Sequence, residues 1–347
     1  MLTETQKEEI RTALEKAENP LIIHDDDADG LCSFLQFYKH GNKGKGVVVK
    51  STPRVDERFL SVVTSLVPDV IFILDIAEVE QDFVDKVTAP IYWIDHHELA
   101  DVKGVKYYNP KQNKAGDNTC ISKLSYDIFG EHLWIAATGT IGDWQLPEDL
   151  RTIIQTQLPE YLPAHITKPE QALFESTFGK LAMIMNFCLK GDMKKVHQNI
   201  KALMQITAPE ELLNQTSKQG QQIMKLVGKV YEEYTVLLKR AIAQASDDPF
   251  LIFTYEEKRI SLSGELSNEL LYRFPDKIII VARRHGGEMK TSFRSGKGII
   301  IHDLLMEAIV GIQGRVGGHA HACGGVIKEE EWNRFITQLH ETYHKRH

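Results

Sequence analysis

The chain has 347 residues, longer than one typical domain, and 42% of them are hydrophobic, so we expect two packed units of unequal size. Its 48 acidic residues outnumber its 41 basic ones, and the formal charge of −7 excludes a protein that coats nucleic acid by bulk electrostatics. An enzyme that acts on nucleic acid is not excluded, because bound divalent metals supply positive potential within a cleft.

The first twenty residues are charged and helical in pattern, without the apolar core or cleavage site of a signal peptide. No apolar run approaches the roughly 20 residues that a membrane span needs. The four cysteines are far apart and form no CxxC pair, which argues against a disulfide framework or a zinc knuckle. These features predict a cytoplasmic protein that does not enter membranes.

Four short apolar runs follow, at residues 21–23, 47–49, 70–74 and 91–94, and segments of helical length come after them. This alternation is typical of a parallel sheet covered by helices on both faces. The first half of the chain is therefore predicted to be α/β.

Three of these runs end directly in His or Asp, in the segments HDDDADG, Asp75 and DHH. In open α/β sheets ligands bind just beyond the carboxyl ends of the strands, so we expect the three clusters to meet in one crevice. The candidate metal ligands are His24, Asp27, Asp29, Asp75, His96 and Asp143. This mixture of carboxylates and imidazoles suits Mn²⁺ or Mg²⁺. Two such ions about 4 Å apart supply the charge neutralisation and the strong nucleophile that phosphate ester hydrolysis requires.

Four aspartates lie between positions 25 and 29. Asp27 and Asp29 are two residues apart, so extended or turning backbone would direct both to one side. Helix capping alone needs fewer carboxylates, and four together repel one another unless cations bind. Asp75, flanked by apolar residues, is expected to be buried; either it bridges two metals, which offsets the cost of burial, or it is a structural carboxylate.

Adjacent side chains normally point in different directions, so Asp95, His96 and His97 are not expected to bind one ion together. We expect one histidine on a metal and the other facing the substrate, as a phosphate partner or proton donor. Asp95 would bind a metal directly or support one of its ligands. Asn109, before Pro110, either shapes the site behind this strand or forms a simple turn.

The pattern is mainly helical from residue 147 to about 203, and one long helix is predicted over 210–245 as a connector between domains. Strand-like runs at 250–253, 278–282 and 289–293 then alternate with helical runs at 266–272, 301–309 and 330–343. This predicts a second, smaller α/β domain. The predicted boundaries are 1–208, 209–246 and 247–347.

The predicted second domain contains a glycine-rich run, GGHAHACGG, at residues 317–325. Gly317 and Gly318 would let a phosphate approach the backbone N–H groups, and His319 would add a side-chain donor. Arg294 and Ser295 could bind a further phosphate, the arginine through its planar fork. The alternative for the glycine run is a tight turn between a helix and a strand.

In chain order, DADG at 27–30, LDIA at 74–77, DHH at 95–97 and GD at 142–143 resemble the four motifs of the DHH phosphoesterases. GGHAHACGG resembles the signature of their second domain, DHHA1. The resemblance implies two Mn²⁺ or Mg²⁺ ions in the first domain, a linker helix, and a substrate gripped across a cleft.

Carried over by position, the resemblance implies a role for each candidate ligand. His24, Asp27 and Asp75 would hold one metal; Asp29, Asp75, His96 and Asp143 would hold the other; and His97, beside Asp95, would face the scissile phosphate. Many family members have the first His four residues before the first Asp, whereas here the spacing is three. Either a neighbour, Asp25 or Asp26, shares the role, or the turn is tighter.

We therefore predict a Mn²⁺- or Mg²⁺-dependent exonuclease that acts on single-stranded DNA or RNA and releases 5′-mononucleotides. The alternatives are a phosphodiesterase for short oligoribonucleotides or cyclic dinucleotides, and an inactive scaffold in a replication complex. The apparently complete ligand set favours an enzyme.

Overall fold

The computed structural model describes residues 1–50, 53–256, 260–296 and 298–346. They fall into two compact units, Met1–Val227 and Gly228–His347. The predicted α/β class is confirmed in both units. In the described part of the chain, no helix is long and apolar enough to cross a membrane.

The described residues of the first unit form seven strands. They are β1 (Pro20–His24), β2 (Lys45–Val48), β3 (Arg54–Val55), β4 (Val70–Leu74), β5 (Glu78–Val79), β6 (Ile91–Ile94) and β7 (Lys106–Tyr108). Five of them form a parallel sheet in the order β2-β1-β4-β6-β7, while β3 and β5 pair separately. The four predicted runs are all strands. Strand β7 was not predicted, because this edge strand is only three residues long and begins with a charged side chain. The two-residue strands β3 and β5 were not predicted either.

Helices make up most of the rest of this unit, and the last of them continues into the second unit. They are α1 (Glu4–Lys16), α2 (Ala28–Gly41), α3 (Leu60–Leu66), α4 (Gln81–Lys86), α5 (Ile121–Phe129), α6 (Leu133–Gly142), α7 (Glu148–Gln157), α8 (Pro169–Glu175), α9 (Thr177–Cys188), α10 (Met193–Leu203), α11 (Glu210–Leu213) and α12 (Lys218–Ile242). The prediction of one helix over 210–245 was wrong. Gln215 adopts a left-handed conformation, φ 55°, and Ser217 restarts the helix by accepting a hydrogen bond from the Gly220 N–H at 3.1 Å.

Helices cover both faces of the parallel sheet, as predicted. On one face Ile71, Ile73 and Trp93 pack with Phe83 of α4 and with side chains of α3. On the other, Phe37 of α2 packs against Phe72 at 5.3 Å between ring centroids. Because its central strands are buried on both faces, they read as continuous apolar runs. Because β1, β4 and β6 are adjacent and parallel, the polar residues that follow these strands lie at the same edge of the sheet.

The second unit contains β8 (Phe250–Glu256), β9 (Ile278–His285), β10 (Glu288–Arg294), β11 (Gly314–His319) and β12 (Ala322–Lys328), with α13 (Ser263–Arg273), α14 (Ile301–Ala308) and α15 (Trp332–Arg346). The sheet order is β11-β12-β10-β9-β8, and of the described strand pairs in this sheet only β8 and β9 are parallel. Helices α14 and α15 cover one face, and α13 packs against β9 and β10.

The glycine-rich run is neither an open phosphate loop nor a turn between a helix and a strand. It forms the hairpin of β11 and β12, with Gly317 opposite Gly324 and Gly318 opposite Cys323. Strands are predicted from alternating apolar and polar side chains, and glycines have none. Neither β11 nor β12 was therefore recognised as a strand in the sequence.

Candidate metal centre and phosphate site

His24 ends β1 with no exposed surface and stacks on Phe34, 5.0 Å between ring centroids. Its Nδ1 donates to the Asp25 carbonyl at 2.8 Å, which leaves Nε2 as the unprotonated nitrogen. That Nε2 atom is buried and has no hydrogen-bond partner among the described residues. Burial also lowers the pKa of His24 to about 4, so the ring is neutral near pH 7. A neutral, fixed imidazole with an orphaned nitrogen fits a metal ligand.

The aspartate run forms the turn into α2. Asp27 caps the helix, accepting from the Gly30 N–H at 2.9 Å, and Asp29 lies in the first helical turn. Of the two backbone forms considered, the turning one is present, and Asp27 also caps the helix. Gly30 is required here, because a Cβ at this position would lie 2.8 Å from the Asp25 backbone nitrogen.

Asp25 and Asp26, either of which could share the metal-binding role according to the motif spacing, have different surroundings. A carboxylate oxygen of Asp25 lies within 4.8 Å of oxygens of Asp27 and Asp75, in a group able to hold a metal ion. Asp26 instead accepts from Lys50 Nζ at 3.0 Å. Burial and the charge of Asp27 raise the pKa of Asp25 to about 7, and burial and Asp29 raise the pKa of Asp27 to about 6.

Asp29 is buried and links two distant parts of the chain. Its two oxygens accept from the N–H groups of Ile121, at 2.8 Å, and Ser122, at 2.7 Å, at the start of α5. Asp29 also forms a potential ligand group with Asp143 and Cys120. Each carboxylate oxygen keeps a free lone pair, so capping α5 and binding a metal are compatible.

Asp75 follows β4 in a left-handed conformation, φ 59°, and is only 2% exposed. Such a conformation is uncommon for residues other than glycine and is often found at functional sites. Its Oδ1 lies 3.3 Å from His96 Nε2. Asp75 belongs to two potential ligand groups, with Asp25 and Asp27 and with His96 and His97. Burial and the charge of Asp29 raise the pKa of Asp75 well above its usual range.

The three residues of the DHH segment take different positions. His96 Nδ1 donates to the Asn118 carbonyl at 2.9 Å, so its Nε2 faces Asp75 with a free lone pair. Asp95, fully buried, accepts from His97 Nδ1 at 2.7 Å and from the His97 backbone N–H at 2.9 Å. Asp95 therefore supports His97, and it belongs to none of the potential ligand groups found among the described residues.

His97 keeps its second ring nitrogen for the site, with its side chain 41% exposed. The hydrogen bond to Asp95 raises the pKa of His97, which favours the protonated ring. A ring nitrogen of His97 lies within 4.8 Å of ligand atoms of Asp75 and His96, close enough to join a metal group as well as to face a substrate.

Asn109 fulfils both of the roles considered for it. Its Nδ2 donates to the His97 carbonyl at 3.0 Å and to the Tyr107 hydroxyl at 2.9 Å. Its Oδ1 accepts from the Lys111 N–H and caps a short 3₁₀ turn. Asn109 thus ties the DHH segment to β7.

Asp143 lies at the end of α6, and its Oδ2 accepts from Gln145 Nε2 at 2.8 Å. The Oε1 of the same glutamine accepts from the Cys120 N–H at 3.1 Å, so Gln145 holds Asp143 beside the start of α5. Burial, Asp29 and Asp27 raise the pKa of Asp143 to about 9. Neither Gln145 nor Cys120 was predicted from the sequence, because an isolated glutamine or cysteine belongs to no recognisable motif spacing.

Every predicted metal ligand thus lies at the carboxyl edge of the parallel sheet or at the adjoining helix ends. The donors are carboxylate oxygens and imidazole nitrogens, with one neighbouring thiol. Buried carboxylates with raised pKa values, together with an orphaned imidazole nitrogen at the end of the neighbouring strand, fit divalent cations.

The second unit aligns Arg294 and His319 across three strands. In the register of the sheet, Arg294 of β10 is opposite Ala322 of β12, which is opposite His319 of β11. Residues paired in this way share a face, so the two side chains rise about 10 Å apart, twice the strand spacing. Arg294 Nε donates to Asn268 Oδ1 at 2.8 Å, and burial lowers the pKa of Arg294.

The glycines leave backbone uncovered on that face. A Cβ at Gly317 would meet no atom within 4 Å, and Gly317 pairs with Gly324, which also lacks a side chain. Gly318 has φ 141°, and a Cβ there would meet the Ala322 carbonyl oxygen at 2.5 Å. Ser295 is less available than expected: it is buried, and its hydroxyl donates to the Ile299 carbonyl at 2.6 Å.

Two family models match the chain and confirm the resemblance seen in its motifs. The model described as "DHH family, N-terminal domain" matches residues 19–148, and the DHHA1 domain model matches residues 248–345. No match was found among curated protein sequences.

Solved structures share the fold. RecJ in complex with Mn²⁺ from Thermus thermophilus matches at 16% identity and a TM-score of 0.67, covering 100% of this chain and 55% of that one. Exonuclease RecJ bound to manganese matches at 15% identity and a TM-score of 0.64, and the match covers 100% of this chain and 96% of that one. The pGpG-specific phosphodiesterase PggH from Vibrio cholerae matches at 13% identity and a TM-score of 0.51, and the match covers 94% of this chain and 100% of that one. The chain therefore spans about half the length of the Thermus protein.

Proposed function

The chain belongs to the DHH family, and on that basis we propose that it is a two-metal phosphodiesterase, an exonuclease that releases 5′-mononucleotides from single-stranded DNA or RNA. The observation that carries the proposal is a pair of potential ligand groups that share Asp75, one with Asp25 and Asp27 and one with His96 and His97. The orphaned Nε2 of His24 lies at the end of the neighbouring strand, where His24 is opposite Leu74. An inactive scaffold would have no reason to keep this costly set of buried carboxylates.

We assign the ligands as the resemblance to the family's motifs implies. His24, Asp27 and Asp75 would hold one ion, with Asp25 as an additional candidate, and Asp29, Asp75, His96 and Asp143 would hold the other. Mn²⁺ or Mg²⁺ at such a site supplies charge stabilisation for the phosphoryl oxygens and a strong nucleophile at neutral pH. The RecJ structures with the same fold contain Mn²⁺ or Mg²⁺.

His97 would serve as the phosphate partner and proton donor. Its Nδ1 is engaged by Asp95, its ring is partly exposed, and its pKa is raised, so the protonated ring offers a second N–H to the substrate. Positioned proton transfer of this kind typically contributes about 10²- to 10⁴-fold to a rate. Asn109 would keep His97 in place through its backbone carbonyl.

In the second unit, Arg294 and His319 would bind phosphates that are not cleaved. Arg294 has its Nε fixed by Asn268, and the bare backbone at Gly317 gives an anion close access to the hairpin. Gly318 is needed for its backbone conformation, because its φ is 141° and a Cβ there would meet the Ala322 carbonyl oxygen at 2.5 Å. Ser295 would support the adjoining loop through Ile299 rather than bind substrate directly.

The second candidate is a phosphodiesterase for short oligoribonucleotides or cyclic dinucleotides. The fold shared over nearly the whole chain with PggH, a pGpG-specific phosphodiesterase, supports it. The test is a product profile from end-labelled DNA and RNA of graded length, with cyclic dinucleotides alongside, in Mn²⁺ or Mg²⁺. Mononucleotides released from long single strands would support the exonuclease; cleavage of only the shortest substrates would support the alternative. A wild-type protein that cleaves none of them and binds no metal would overturn both.

A further inference from the structure

One exposed aromatic residue directly follows a proposed metal ligand. Trp144 comes next after Asp143 and is 38% exposed, whereas the other three tryptophans, Trp93, Trp134 and Trp332, are all buried. A large aromatic side chain that stays in solvent does not gain the stabilisation that burial of its apolar surface would give. Exposed apolar surface of this kind often belongs to a binding site.

The backbone holds this residue firmly. Trp144 has φ 57°, a left-handed conformation that is rare for bulky side chains, and its N–H donates to the Ile141 carbonyl at 3.1 Å. On its two sides, Asp143 joins the ligand group with Asp29, and Gln145 donates to the Asp143 carboxylate. Consecutive Cα atoms are about 3.8 Å apart, so Trp144 stays next to the metal centre.

The ring is supported but not covered. Trp144 meets Phe174 of α8 in a T-shaped contact, with centroids 5.4 Å apart and ring planes at 72°. In this geometry the edge of one ring meets the face of the other. Whichever ring supplies the edge, Phe174 leaves at least one face of the indole without a stacked partner.

We propose that Trp144 stacks on a nucleobase adjacent to the scissile phosphate, forming a base subsite beside the metal centre. This inference rests on the proposed function and deepens it. Stacking tolerates any base, because every base has a π-face, so Trp144 would select for substrates that carry a base over base-free phosphate esters without selecting a sequence.

The experiment combines Trp144→Ala with abasic oligonucleotides in which one base at a time is removed near the cleaved end. Loss of a stacked base corresponds to about 5- to 150-fold weaker binding, so Trp144→Ala should raise KM by that factor with little change in kcat. At one abasic position, the KM of the wild type should rise by a similar factor, whereas the KM of Trp144→Ala should hardly change. The removed base and the removed indole are the two halves of the same contact, so removing both has little more effect than removing one.

Two further variants serve as controls. Trp144→Phe should retain most of the affinity, since phenylalanine also stacks. Val67→Ala should behave as wild type, because Val67 is likewise an exposed apolar residue with a positive φ, at the end of α3. If Trp144→Ala fails to fold, Trp144→Phe and Trp144→Leu replace it, and equal KM values for these two would overturn the proposal.

The outcomes separate this inference from the proposed function. A wild-type protein without phosphodiesterase activity overturns both. If the wild type is active, two results overturn the base subsite alone. One is that Trp144→Ala raises KM by the same factor on intact and abasic substrates, and the other is that it does not raise KM at all.

Discussion

Asp95 engages His97 twice: one carboxylate oxygen accepts from the ring Nδ1 at 2.7 Å and the other from the backbone N–H at 2.9 Å. The carboxylate is buried, whereas the ring is partly exposed. Asp95 therefore fixes the orientation of the His97 ring and favours its protonated form. Under the proposed function, this would make Asp95 a positioning residue.

Replacing Asp95 with asparagine should lower kcat by about 10²-fold, because a neutral amide stabilises the protonated His97 ring less well. Metal affinity, measured by calorimetry, should stay within about twofold, since His96 and Asp75 are unchanged. Asp101→Asn is the control, because the Asp101 side chain is exposed and pairs with Lys103. Comparable losses of metal affinity and kcat would show that Asp95 acts on the metal instead.

Replacing Asp75 with asparagine should stabilise the metal-free protein while removing metal binding. Asp75 is buried among carboxylates that repel it, and an amide of nearly the same shape removes that charge. We expect a gain of about 1–3 kcal/mol in the free energy of unfolding, measured by urea denaturation in EDTA. Added Mn²⁺ should stabilise the wild type but not the variant. A less stable metal-free variant would contradict this account; Asp101→Asn, at an exposed position, provides the control.

The metal-free protein should lose stability as the pH rises from about 4 to about 7. The pKa of Asp25 is raised from 3.8 to about 7 and that of Asp27 from 3.8 to about 6, so between these values the folded state binds more protons than the unfolded state. Each of these carboxyls lowers the stability as the pH rises until it is ionised, and Asp143, whose pKa is raised to about 9, extends the fall above pH 7. His24, whose pKa is lowered from 6.5 to about 4, opposes the fall between these values, but the raised carboxyls outnumber it. Thermal unfolding in EDTA across this range checks the sign, and saturating Mn²⁺ should weaken or reverse the trend. A rising stability over this window, without metal, would refute the prediction.

Asp29→Ala should destabilise the fold, opposite in sign to Asp75→Asn. The substitution leaves the N–H groups of Ile121 and Ser122 buried without acceptors, at a cost of about 1–3 kcal/mol. The free energy of unfolding in EDTA measures this effect separately from metal binding. Asp29→Asn keeps one acceptor oxygen and should fall between the wild type and Asp29→Ala. An unchanged free energy of unfolding in Asp29→Ala would show that the cap of α5 contributes nothing.

Asp25→Asn should weaken metal binding by about tenfold, whereas Asp26→Asn should change it little. Asp25 shares a potential ligand group with Asp27 and Asp75, while the charge of Asp26 is paired with Lys50. The comparison is well matched because the residues are adjacent and chemically identical. Calorimetric titration with Mn²⁺ gives both affinities, and a larger loss in Asp26→Asn would reverse the assignment.

The sequence predicted much of the first unit because its signals are local. Apolar runs such as Val70–Leu74 identify buried parallel strands, and the polar residue after each run identifies the sheet edge where ligands bind. The same local reasoning failed where length or composition hid the pattern, as in the short strand β7 and the glycine-rich hairpin of β11 and β12.

Residue types and strand ends in the sequence were enough to predict a carboxylate and imidazole centre with His24, Asp29, Asp75 and His96 at one edge. Only the tertiary structure decided how each side chain is used. It joined Asp29 to Ser122, 93 positions away, turned Asp26 towards Lys50, and brought Gln145 and Cys120 to Asp143. The physical reason is that strand periodicity is encoded over a few residues, whereas hydrogen-bond partners between distant segments exist only once the helices have packed.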